Sequence, residues 1–227
     1  MTPAEMREAV ALQKSIWGFA DIELLPVRLF IVATKIGGHV FGAYDGSALV
    51  GFCLAIPGIK AGARPYSHSH MVGVAPSYRN YGVGRLLKLR QREDAIARGL
   101  DLMEWTFDPL EIKNAYFNIE RLGAIVRRFV RNQYGTTTSH LHRGLPTDRC
   151  TAEWWMTSER VERVLGGEPP ARLPVEARIR VPMDLGLAQA QQARVSDQFS
   201  EYFDRGLCVT GFERGATEGT YLLSPWP

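Results

Sequence analysis

The stretch Arg79-Asn80-Tyr81-Gly82-Val83-Gly84 follows a short apolar run ending Val74-Ala75-Pro76 and leads into Arg85-Leu86-Leu87. A strand, a basic glycine-containing turn and a helix start form a pyrophosphate-binding arrangement. Successive backbone N–H groups point outward there, and the helix dipole adds partial positive charge. Glycines at 82 and 84 omit the side chains that would hold phosphate oxygens away. A dinucleotide loop would read G-x-G-x-x-G and a nucleoside-triphosphate loop G-x-x-x-x-G-K-[ST]; neither spacing is present.

The flanking segments extend the pattern. His68 to Val74 alternates and predicts a strand, and residues 83 to 98 lack proline and stop at Gly99, a helix ending. Leu102 to Phe107 predicts a second strand, Asn114 to Gly123 a short helix closed by glycine, and Ala124 to Val130 a third strand. Upstream, Thr2 before Pro3 opens a helix over residues 3 to 17. Leu24 to Ile36 is a second helix with Pro26 in its first turn, and Asp45-Gly46-Ser47 joins a hairpin of Val40 to Tyr44 and Ala48 to Ile56.

Arg79 to Gly84 resembles the R/Q-x-x-G-x-G/A signature of the GCN5-related N-acetyltransferases, the GNAT superfamily. The run from Asn114 to Leu122-Gly123 resembles that family's second conserved region. The resemblance covers about residues 5 to 140. The strings Trp105 to Leu110, Asn114 to Asn118 and Gly144 to Arg149 are also similar to a bacterial subgroup of predicted acetyltransferases, some of which are thought to use succinyl-CoA on amino acids. The resemblance implies an α/β (α+β) fold with a mixed, mostly antiparallel central sheet flanked by helices. Residues 1–145 would be the acyl-CoA-binding core and residues 146–227 a smaller C-terminal α+β extension, packed on the core or on a partner subunit. It implies acetyl-CoA or another acyl-CoA as co-substrate. Arg79, Asn80, Tyr81, Gly82, Val83, Gly84 and Arg85 would hold the pyrophosphate, and the backbone of Val72 and Val74 would meet the pantetheine arm. Asn114 would bind the coenzyme too, although an asparagine before an apolar run is also a plain N-cap.

Within the extension, Gly166 to Pro174 reads as a linker. Arg178 to Val181 reads as a strand, Asp184 begins a helix reaching about Asp204, and Val209 to Phe212 with Thr220 to Leu223 form a terminal hairpin.

Composition excludes several classes. With 227 residues, 45% hydrophobic and 22% charged, the chain can bury a full core. No apolar run approaches the roughly 20 residues of a membrane helix. The N-terminus lacks a basic region followed by an apolar one, so no secretory signal is expected and the cytoplasm is the expected compartment. Cys53, Cys150 and Cys208 are odd in number and far apart, which argues against a disulfide framework. His68-x-His70 and His140-x-His142 lack a further ligand at metal spacing, so no metal is expected. A net charge of +3 with dispersed basic residues does not argue for nucleic acid. The exception is Arg127-Arg128-Phe129-Val130-Arg131, either a strand with a solvated face or an anion patch.

Acyl transfer to an amine needs a base for the protonated amine and a proton for the leaving thiolate. Histidine, with a pKa near ~6.5, or a raised glutamate suits the first task. His68 and His70 lie on the strand entering the turn and share a face with Val72 and Val74 if that strand is regular. Glu104 on the following strand is the other candidate base. Many relatives carry a tyrosine acid four residues before the glycine of the second region; here that position is Ile119, and Tyr116 is the substitute. Trp105, Trp154 and Trp155 suggest an aromatic-lined acceptor pocket, although the adjacent Trp154 and Trp155 would point to opposite faces of a strand, which assigns one of them to the core.

The leading expectation is a CoA-dependent N-acyltransferase moving an acetyl or succinyl group to the amine of a small molecule, an amino acid among the choices, by direct attack. Expected partners are that amine and an acyl-CoA, without nucleic acid or membrane, and with homodimerisation open. The alternative is a non-catalytic acyl-CoA sensor or assembly protein, motivated by Ile119. A third reading is nucleic-acid binding through the arginine cluster.

Overall fold

The computed structural model of the protein describes residues 1–140, 144–184 and 188–226. Contacts group the chain into two compact units, Met1–Glu104 with Thr137–Gly144, and Trp105–Thr136 with Leu145–Pro227.

In the first unit, helix α1 (Pro3–Trp17) opens with a capping box. The Thr2 hydroxyl accepts from the Glu5 N–H while the Glu5 carboxylate takes the Thr2 N–H, so two orphan donors are satisfied locally. Helix α2 (Val27–Lys35) begins after Pro26 rather than at Leu24, and Asp21–Glu23 forms a 3-10 turn instead. Proline disfavours helical geometry at the residue before it, so Leu25 cannot belong to the same helix. Strands β1 (His39–Asp45) and β2 (Ala48–Ile59) form the expected hairpin around Gly46, whose φ is 57°. β2 pairs antiparallel with β3 (Pro65–Val74), and β3 pairs parallel with β4 (Leu102–Phe107).

Helix α3 (Val83–Ala97) covers one face of these strands, and α1 with α2 covers the other. Neighbouring positions on β2 show the division. A Cβ on Gly51 would meet Val83 and Leu87 of α3, whereas Phe52 packs with Met6, Ile16 and Phe30. Burying Phe30 and Phe52 completely stabilises the unit by about 1.5–3 kcal/mol each.

The second unit begins within β4. Helix α4 (Ile112–Tyr116) runs on into a π-helical turn, Phe117–Arg121, where the sequence predicted a single short helix. Strand β5 (Ile125–Val130) is central: β6 (Arg149–Trp155) pairs with one edge and β8 (Leu207–Arg214) with the other, both antiparallel. β9 (Glu218–Pro225) pairs with β8 and with β7 (Ala177–Pro182), also antiparallel. Between β6 and β7 lies helix α5 (Glu159–Leu165), started by the Ser158 side chain accepting from the Val161 N–H. Helix α6 (Ala188–Asp204) ends where the expected helix does, but Asp184, its expected first residue, is not helical. Phe199, Phe212 and Tyr221 pack edge-on in the core, with the Tyr221 hydroxyl donating to the Pro109 carbonyl at 2.7 Å. The strands form the mixed, mostly antiparallel sheet with flanking helices that the family resemblance implies.

Candidate active site

The turn from β3 to α3 has the backbone that its sequence predicts. Asn80 and Gly82 adopt positive φ, 69° and 85°, and Gly82 is the N-cap of α3 without any side-chain cap. The first bond back into the helix runs from the Leu86 N–H to the Gly82 carbonyl, so the N–H groups of Val83, Gly84 and Arg85 have no partner within the helix. No acidic side chain occupies the first turn. A Cβ on Gly82 would meet nothing within 4 Å and one on Gly84 only Val74 Cγ2 at 3.8 Å, so protein packing does not require glycine at 84. Glycine leaves open space there beside the helix N-terminus, where the helix dipole favours an anion. Arg79 Nε donates to the Val74 carbonyl at 3.3 Å, fixing the turn against the end of β3, and Tyr81 is 80% exposed.

The second element of the site is where parallel pairing stops. β3 and β4 are joined only at Ser67↔Met103 and His68↔Glu104. Beyond His68, the β4-facing edge of β3 has no strand partner, so alternate backbone N–H and C=O groups from Ser69 to the Val74 N–H remain available to a ligand, while the Val74 carbonyl already accepts from Arg79. The register also brings two expected bases together. His68 and Glu104 are direct neighbours on adjacent strands and project to the same face. Glu104 is 3% exposed and ion-paired with Lys60, a residue the sequence reading did not single out. Lys60 in turn lies 5.5 Å from the Tyr66 ring centre, and Tyr66 meets His68 edge-on.

β3 is not regular. Ala55 pairs with Ser69 but Leu54 pairs with Met71, so His70 is an extra residue bulged from the ladder. The side chains reverse face at that point. Ser69 points to α3, where its hydroxyl meets Gln91 and Lys88, whereas Met71 packs on the α1 and α2 cluster. Consequently His68 does not share a face with Val72 and Val74, contrary to the expectation for a regular strand. His70 is exposed; the protein surrounding the rest of its ring disfavours the charged form and lowers its pKa.

Elsewhere, Asn114 is exposed on α4, Tyr116 is half-buried at the helix end, and Ile119 is fully buried in the π turn. Trp105 and Trp154 do not line a pocket. Both are core residues in edge-on contact, Trp105 Nε1 donating to Asn118 Oδ1 at 3.2 Å and Trp154 Nε1 to the Leu122 carbonyl at 2.6 Å. Trp155 is half-buried. The arginine cluster is committed to acids: Arg127 and Arg128 both pair with buried Glu153, and Arg131 pairs with Asp197 at 2.7 Å. His142 lies outside the described residues, and among those described no three His, Cys, Asp or Glu side chains group as metal ligands.

The turn, the split strands and the helix that follows match a known family: the model of the acetyltransferase (GNAT) family fits residues 8–123. The chain belongs to the GNAT acetyltransferase family. It is therefore an acyltransferase with acetyl-CoA as co-substrate, and the open glycine turn and unpaired β3 edge fit that molecule's pyrophosphate and pantetheine. Solved structures share the acetyltransferase fold. The ribosomal-protein-alanine N-acetyltransferase of Brucella melitensis aligns with TM-score 0.55 at 19% identity, covering 67% of this chain and 95% of its own. yncA of Salmonella typhimurium, solved with its cofactor acetyl-CoA, aligns with TM-score 0.56 at 15% identity over 78% and 96%. Naa20 of Chaetomium thermophilum, in complex with a bisubstrate analogue, gives 0.55 at 17% over 76% and 90%. No curated protein sequence matches this acetyltransferase.

Proposed function

We propose that this acetyltransferase moves the acyl group of acetyl-CoA, with succinyl-CoA as the competing donor, to the primary amine of a small molecule such as an amino acid, by direct attack of the amine on the thioester. The observation that carries the reading is the pairing of His68 with Glu104 where the β3–β4 ladder ends. Acetyl-CoA supplies an activated acyl group. Arg79 to Arg85 would hold its pyrophosphate through backbone N–H groups and guanidinium charge, and the free edge of β3 at Val72 and Val74 would bind the pantetheine amides. Asn114, exposed on α4, would add a side-chain contact to the coenzyme.

The His68 and Glu104 pair would take the proton from the acceptor ammonium. Lys60 anchors one Glu104 oxygen and so orients the other. His70, exposed and with its neutral form favoured, is the alternative proton acceptor. Tyr116 would protonate the departing thiolate, since Ile119 is buried and carries no acidic group. Residues 1–145 are assigned the acyl-CoA chemistry and residues 146–227 the role of an extension. Three free, buried cysteines suit a reducing compartment, so the protein is assigned to the cytoplasm.

Thiol release tests the reading, with acetyl-CoA and succinyl-CoA against a panel of amino acids, simple amines and an alanine-initiated peptide. Acceptor-dependent release with an amino acid or amine is expected. Glu104→Gln and His68→Ala should each lower kcat by about 10²-fold or more, while the calorimetric Kd for acetyl-CoA stays unchanged. Release with the peptide alone would overturn the small-molecule reading, and full turnover by both variants would overturn the base assignment.

A further inference from the structure

We infer that Lys88 and Gln91 of α3 are positioning residues for the acyl-CoA arm: their grip on Ser69 sets the one-residue slip at His70, and the slip sets which backbone groups β3 presents from Met71 to Val74. The inference rests on the acyl-CoA reading above.

Two anchors of opposite parity hold β3. On the α3 side, Ser69 is buried; Lys88 Nζ donates to its hydroxyl at 2.8 Å, and the hydroxyl donates to Gln91 Oε1 at 2.8 Å. On the other side, Met71 packs into the apolar cluster of α1 and α2. Gly73 leaves its Cβ position to Ile16 Cδ1 and Trp17 Cη2, each of which would lie 2.7 Å from that carbon. In a regular strand, residues 69, 71 and 73 would share a face. Either Ser69 would then enter the apolar cluster or Met71 would meet the Lys88 amine. One extra residue satisfies both anchors, and His70, which reaches solvent, is the residue that can be extra.

The grip belongs to the helix that builds the phosphate turn. Gly84, Lys88 and Gln91 lie along one stripe of α3, and that stripe runs back along β3 from Val74, near Gly84, to Ser69. α3 therefore acts as a ruler between the turn and the bulge, spanning about 10 Å from Gly84 to Gln91 at 1.5 Å per residue. Lys88 is only 3% exposed and its amine is committed to Ser69, so it is not placed to serve as a phosphate ligand itself, and burial favours its uncharged amine.

The test is titration calorimetry on the full-length protein and its Ser69→Ala and Lys88→Met variants, with acetyl-CoA and with 3′-phospho-ADP, which carries the pyrophosphate but no pantetheine. Both variants should bind acetyl-CoA about tenfold more weakly or worse while 3′-phospho-ADP binding stays within about twofold, and Ser69→Thr, which keeps the hydroxyl, should restore acetyl-CoA affinity. Variants that bind acetyl-CoA as the wild type does would overturn the inference. Equal loss of both ligands would do the same, since that is the signature of general destabilisation. Should Lys88→Met fail to fold, Ser69→Ala, which removes a single oxygen, decides the outcome alone. Failure of the wild type to bind acetyl-CoA would overturn the acyl-CoA reading as well, whereas wild-type binding with unaltered variants would overturn only the role of α3.

Discussion

Asp108, just past the end of β4, shows how one side chain's surroundings translate into a measurable pH dependence. Its carboxylate accepts from the Leu110 N–H at 2.8 Å, yet burial raises its pKa from 3.8 to about 6. The Leu110 bond and Arg149 oppose that rise; Glu111 and Asp148 add to it. The folded state therefore holds a proton that the unfolded chain has already released between about pH 4 and 6, and stability from this group falls as pH rises through that window. Asp108→Asn keeps an oxygen for Leu110 and removes the buried charge. Relative to wild type, the variant should be unchanged below pH 4 and become more stable up to pH 6, by at most about 3 kcal/mol, with a constant difference above. Tm measured across that range checks it; a difference that does not vary with pH would contradict the assignment. Nothing in the local sequence Phe107-Asp108-Pro109 announces this shift, because Arg149 and Asp148 arrive from β6 and the segment before it.

Among elements, α3 carries both the proposed phosphate turn and the side chains that hold Ser69. The first N–H groups at its N-terminus have no partner within the helix, and Gly84 has room for a methyl group within the protein itself. Gly84→Ala should consequently fold with a Tm within a few degrees of wild type, since alanine is the better helix former by about 1 kcal/mol. It should nonetheless weaken acetyl-CoA binding by about tenfold or more, because the added methyl occupies the anion's approach. Calorimetry beside a melting curve separates the two effects, and undiminished affinity would show that the anion lies elsewhere. The element was legible in the sequence because everything that starts it is local: the αL glycine, the following helix formers and the absence of an acidic first turn all fall within a few residues. The neighbouring strand was legible only in part. His68 to Val74 alternates, but the slip at His70 is decided by α3 on one side and by α1 with α2 on the other. The helix expected over Asn114 to Gly123 likewise proved half π-helical, with Asn118 and Leu122 bonded to the indoles of Trp105 and Trp154.

At the scale of the molecule, β5 has partners on both edges that come from the last third of the chain, β6 and β8. A chain ending at residue 145 would leave both edges of β5, whose Ile125 and Val126 are buried, unpaired and remove Trp154 from the core. Such a truncation should be insoluble or unfolded when compared with the 227-residue chain by circular dichroism and size exclusion; a soluble, folded fragment would show that residues 146–227 are an independent appendage. By itself the sequence determined most of the secondary elements, though not β6 or α5, together with the glycine turn and hence the family, because helix caps, hairpin turns and αL glycines are encoded within about five residues. Only the tertiary structure decided that His68 stands beside Glu104, that Lys60 anchors that carboxylate, that two tryptophans belong to the core and that the arginine cluster is ion-paired with Glu153 and Asp197. Strand register and ion pairing select partners distant in sequence, and their energies depend on which burial and which contacts the whole chain can satisfy together.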